Sequence, residues 1–99
     1  MYLQPLSEIP GMRTFYRRNK DKYTMSINKD MRAYDGNNIL IVKSISYPKS
    51  TYEVRIVDKQ SEQTVYSKQY NKVKDCCSEL TQLCNKYLTT NVSRVNMGL

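Results

Sequence analysis

The sequence predicts an α+β domain: a four- or five-stranded antiparallel meander sheet with one C-terminal amphipathic helix packed on one face. Three observations carry that reading. Between residues 23 and 70, apolar and polar residues alternate with period two in several short stretches. Clusters of Gly, Asn, Asp, Pro and Ser separate those stretches by a few residues, as the short connections of a meander require. From Val73 to Leu88 the apolar residues recur at spacings of three, four and one, which marks a helix with a single buried face.

The elements follow in order. Residues 1–12 carry Pro5, Pro10 and Gly11 without a clear period, and read as an extended N-terminal arm or docked tail. Strands are expected at about 22–28, where Tyr23, Met25 and Ile27 alternate with polar residues, and at 31–34. Asp35-Gly36-Asn37-Asn38 is the strongest turn signal, because Gly and Asn tolerate positive φ. A long β-branched strand is expected at 38–47. Ile39, Ile41, Ile45 and Tyr47 share one of its faces with Lys43, while Leu40 and Val42 take the other. Either this strand is central and buried on both sides near its start, or a bulge swaps its faces. Further strands are expected at 51–58 and 63–70, and the helix at about 72–89 with Asn71 as its N-cap. These elements place a single α+β domain at 13–90, followed by a C-terminal tail at 91–99.

Composition narrows the function. Lys and Arg number 16 against 9 Asp and Glu, a net charge of +7. Leu, Ile, Val and Phe make up about a fifth of the chain, close to the level below which chains stay disordered, so tyrosine must help build a thin core. There is no His, which excludes Ser-His-Asp triads, Cys-His dyads and imidazole-ligated metals. Cys76, Cys77 and Cys84 are odd in number and too close for a regular disulfide or a zinc pattern. They read as buried structural thiols in a reducing compartment, hence a cytoplasmic protein. The Asn-, Lys-, Tyr- and Ile-rich composition fits an AT-rich genome such as a bacteriophage's, which would place it in a host cytoplasm. The longest apolar run, residues 39–42, cannot span a bilayer, and the first eleven residues do not read as a secretory signal. The scattered carboxylates argue against an enzyme, and no cofactor, catalytic or metal site is expected.

A binding role remains. The run 13–22, RTFYRRNKDK, holds five basic residues and one acid, with two aromatics inside it. One sheet face must be wet or meet another molecule, because a single helix covers only one. A basic surface with interleaved aromatics suits single-stranded DNA or RNA, whose phosphates meet cations and whose bases stack on rings. The candidate contacts are Arg13, Phe15, Tyr16, Arg17, Arg18, Lys20 and Lys22 in the run, with Lys43, Arg55, Tyr66 and Lys68 on the sheet. The strands-then-helix order over residues 21–88 resembles the layout of Whirly-type single-stranded DNA-binding folds, although no residue motif accompanies it. The second reading is a protein-interaction module, such as a phage-type inhibitor of a host enzyme or a small subunit of a larger assembly, bound through a sheet edge or the tails. Pairing of two copies is expected under either reading, because small domains often complete their burial that way.

Overall fold

In the computed structural model the chain from Pro5 leads through a 3-10 turn at Leu6–Glu8 into a helix, α1 (Pro10–Asn19). Five strands follow, β1 (Thr24–Ile27), β2 (Met31–Tyr34), β3 (Asn38–Ile45), β4 (Thr51–Asp58) and β5 (Thr64–Tyr70), and then a second helix, α2 (Val73–Tyr87). The structure describes residues 5–46 and 48–88. Residues 1–4 of the expected arm, Tyr47 at the end of the expected third strand and the tail at 91–99 lie outside the described residues.

The strands form one antiparallel sheet in the order β1-β2-β3-β4-β5, the meander that the short connections imply. The register explains which residues are buried. Met31 lies across from Val42, and Val42 across from Val54. Ala33 lies across from Leu40, and Leu40 across from Ile56. All six are fully buried. They form two rows across the three central strands, and both helices pack on this face. The question left open for β3 resolves without a bulge in that strand: Leu40 and Val42 point under the helices, whereas Ile39, Ile41, Lys43 and Ile45 occupy the uncovered face. A bulge occurs elsewhere, between β4 and β5, where Val57 pairs with Thr64 but Ile56 pairs with Tyr66. Val65 is the extra residue.

α2 lays down the predicted stripe. Cys76, Leu80, Leu83, Cys84 and Leu88 are buried, with Val73, Cys77 and Tyr87 half-buried beside them. Asp75 in its first turn and Lys86 in its last complement the helix dipole. Asn71 is not the cap: Lys72 occupies the N-cap position, and no side chain accepts from the first turn.

α1 corrects the sequence reading. Instead of an extended arm leading into a basic run, residues 6–19 fold back on the sheet and add Leu6, Ile9, Met12 and Phe15 to the core. Pro10 stands at the first helical position, where its missing N–H would have had no partner and its fixed φ suits the turn. Gly11 lets the helix come close to α2, because a Cβ there would stand only 3.0 Å from Cys77 Sγ. The segment before the helix is tied to the turn between β1 and β2 by Leu6 N–H to Lys29 O (3.2 Å) and Ser7 N–H to Asn28 O (3.0 Å).

Polar contacts close the turns. The buried Asp35 carboxylate accepts from the N–H groups of Asn37 (2.7 Å) and Asn38 (3.0 Å), holding the turn in which Gly36 adopts φ 134°. A tyrosine cluster fastens β5 to α2: Tyr70 OH donates to Glu79 Oε1 at 3.0 Å, and the Tyr66 hydroxyl stands 3.5 Å from that of Tyr70. Tyr70 is buried, so removing its hydroxyl takes a charge-assisted bond from a half-buried carboxylate. Tyr70→Phe is expected to lower stability by about 1–2 kcal/mol, read as a shift in urea midpoint at unchanged m-value.

Candidate nucleic-acid interface

The sequence places its densest positive charge at 13–22, and the fold turns that run into a helix face. Met12, Phe15, Tyr16 and Asn19 recur at helical spacing and face inward, with Asn19 Nδ2 donating to Phe15 O at 2.9 Å. What remains outward is Arg13, Thr14, Arg17 and Arg18, all exposed. Arg13 and Arg17 stand one turn apart on one ridge, about 6 Å along the axis. Arg17 and Arg18 also sit in the last turn, where the helix dipole favours cations. Beyond the helix, Lys22 N–H and Tyr23 N–H both donate to Asn19 O, at 2.9 and 3.1 Å. The Tyr23 ring is buried, which fixes the end of this segment with Lys20 and Lys22 exposed on it. Among the described residues none of these five cations forms an ion pair; the two ion pairs seen are Arg55–Glu53 and Lys68–Glu79, both at 3.4 Å.

The other candidates fall in two further places. Lys43 and Arg55 lie on the uncovered sheet face and are exposed, Arg55 bound to Glu53. Cross-strand register aligns Arg32, Ile41 and Arg55 in one row, and Tyr34, Ile39 and Val57 in the next. Arg32 is a basic residue of this face that sequence reasoning missed; the alternation of buried Met31 and Ala33 with Arg32 and Tyr34 is the signal that marks it. Lys59 stands 5.2 Å from the centre of the Tyr34 ring. The face is thus a strip of half-buried aliphatics flanked by cations.

Tyr66 and Lys68 are not on that face. They point to the helix side of β5, where the Tyr66 ring lies 5.8 Å from that of Tyr87 and Lys68 Nζ reaches Glu79. The extra residue at Val65 is the physical reason, since it shifts the alternation of β5 by one position relative to β4. Phe15, proposed to stack on bases, is buried in the core, and Tyr16 is half-buried against it. The fold therefore gathers Arg13, Arg17, Arg18, Lys20 and Lys22 on the outside of α1 and the adjoining turn. It sets Lys43 and Arg55 on the opposite side of the sheet.

Cys76 and Cys84 are buried and Cys77 is half-buried. Burial raises Cys76 and Cys84 to about 12, with the neighbouring Cys77 and Glu79 adding to the effect at Cys76, and burial also raises Cys77. Among the described residues, no three Cys, Asp or Glu side chains are grouped to hold a metal ion. A shallow apolar groove of about 480 Å³ runs between the N-terminal ends of α1 and α2, lined by Ile9, Pro10, Val73 and Cys77. No helix among the described residues is long and apolar enough to cross a membrane. No protein-family model matches the chain, and neither a curated protein nor a solved structure shows significant similarity to it.

Proposed function

We propose that the protein is a non-catalytic nucleic-acid-binding protein whose contact surface is the outer face of α1 with the turn that follows it. The observation that carries this reading is the concentration of five exposed cations, Arg13, Arg17 and Arg18 on a helix docked through its own buried face, and Lys20 and Lys22 on the turn that follows it. A docked helix presents guanidinium and ammonium groups at fixed spacing, so less side-chain and backbone entropy is lost on binding than from a mobile arm. With Phe15 inside the core, the surface offers charge to phosphates more than rings to bases. Affinity should then depend strongly on salt.

The test is a fluorescence-anisotropy titration with single-stranded DNA, duplex DNA and single-stranded RNA at about 50 and about 200 mM salt. The expected result is binding that weakens with salt, and a slope reduced by up to about two when Arg17→Ala and Arg18→Ala are combined. A double variant that binds as the parent does would remove α1 from the interface.

A second reading, a protein-interaction module, is favoured by one specific observation. The uncovered sheet face carries Ile39, Ile41, Ile45 and Val57 half-exposed between Arg32, Lys43 and Arg55, and a polar ligand has little use for that aliphatic strip. This reading expects nucleic-acid binding to be weak, and equal for the three probes.

A further inference from the structure

We infer that the outer edge of β5, which no strand of the described residues covers, is a self-pairing surface: two copies join antiparallel, edge to edge, about a two-fold axis at Ser67, making one continuous sheet from two.

The two edges of the sheet are managed differently. β1 is four residues long, and α1 with the segment before it closes over that side through the hydrogen bonds to Asn28 and Lys29. β5 is seven residues long, and among the described residues no strand pairs with its far side. Proteins protect such an edge with charges, proline or a covering element. β5 has no proline and a single charge, Lys68, which is drawn to the helix side by Glu79. Val65, 48 % exposed, is the one exposed large hydrophobic residue among those described, and it sits on this strand. The bulge disturbs only the Thr64–Val65 end and leaves Tyr66–Tyr70 regular.

The residues of β5 point to a second copy as the occupant. Ser67 is the middle residue of the strand, so a two-fold axis there overlaps all of Thr64–Tyr70. Ser67 then faces Ser67 of the second copy, Tyr66 faces Lys68, and Val65 faces Gln69. No like charges stand opposite each other, and each ammonium lies beside a tyrosine ring, an attractive arrangement. An axis at Lys68 would oppose two ammonium groups directly, which disfavours that register relative to the one at Ser67. Val65 becomes covered, and α2 rests on β4 as well as β5. α1 packs at the β1 side of the sheet, so its cations stay free, and this inference stands or falls separately from nucleic-acid binding.

Sedimentation velocity over a series from about 1 µM to about 1 mM tests the idea. The parent chain is expected to show a concentration-dependent monomer–dimer equilibrium. Ser67→Glu and Ser67→Lys each set like charges face to face across the axis, and each is expected to weaken dimerisation at least tenfold. Ser67 is exposed, so both variants should keep the parent's circular dichroism; across from Arg55 on β4, the lysine should lower and the glutamate raise the melting temperature only slightly. Mixed in equal amounts, the two variants are expected to form a heterodimer, because glutamate then faces lysine. A parent that stays monomeric throughout, a dimer unaffected by either substitution, or a mixture that fails to pair would each overturn the proposal.

Discussion

Phe15→Ala is expected to lower the unfolding free energy by about 3–5 kcal/mol, the usual range for removing a buried phenyl ring. For a chain of this size that is a large share of a total of about 5–15 kcal/mol. The ring is only 7 % exposed and belongs to the same cluster as Leu6, Met12, Leu80 and Leu83. Its loss leaves a cavity where α1 meets the sheet and α2. Arg17→Ala, two residues on but on the outer face, should change stability by no more than about 0.5 kcal/mol. Urea unfolding of the two variants side by side therefore separates the two roles of one ten-residue helix. Both variants are expected to keep a single cooperative transition. If Phe15→Ala shifted stability by less than about 1 kcal/mol, α1 would not be anchored as described. The rigid presentation of its cations would then fall with it.

That helix is also where the sequence is hardest to read. α1 has only Met12, Phe15 and Tyr16 as large apolar residues within its ten, and it opens on Pro10-Gly11, a pair that ordinarily marks a turn. A helix so short and so basic gains little from intrinsic propensity, and its burial depends on β1 and α2 being present to receive it. Neighbouring residues alone do not reveal that dependence. The strands were easier. Period-two alternation in β1 and β4 is enforced by one covered and one uncovered face, so the pattern in the chain is the pattern of the fold. α2 was legible for the same reason at helical period. The site was legible in part. The charge of residues 13–22 is visible as composition, but the inward turn of Phe15 and Tyr16 is a property of the helix. The placement of Tyr66 and Lys68 under α2 follows from one extra residue in β5, and periodicity does not report a bulge. Arg32 was overlooked because β2 is only four residues long, too short for its alternation to weigh heavily.

Raising the pH above 9 is expected to unfold the protein steeply. Cys76 and Cys84 ionise at an ordinary 9.0 when exposed, but burial holds both protonated in the fold to about 12. Between those values the unfolded chain has released two protons that the folded chain retains. A group whose folded pKa is raised contributes its stability below the unfolded value and loses it as pH climbs. Each thiol therefore removes about 1.4 kcal/mol per pH unit above 9. Above pH 10 two tyrosines join them. Burial, with Cys84 and Asp35 nearby, raises Tyr23 to about 12, and burial with the Tyr66 and Glu79 contacts raises Tyr70 further. The combined slope is comparable to the whole of a stability of about 5–15 kcal/mol over two or three pH units, so stability should fall steeply between pH 9 and about 12. Urea titrations at a series of pH values, with a reductant present to keep the thiols free, measure the slope. A Cys76→Ala/Cys84→Ala variant isolates its origin. Between pH 9 and 10, before the tyrosines contribute, the stability of this variant, which keeps only the half-buried Cys77, should fall much less than that of the parent. Equal slopes in the two proteins would mean that the buried thiols do not set the alkaline limit. Tyr23, which closes the end of the basic segment, would then be the residue to examine next, through the absorbance of its phenolate.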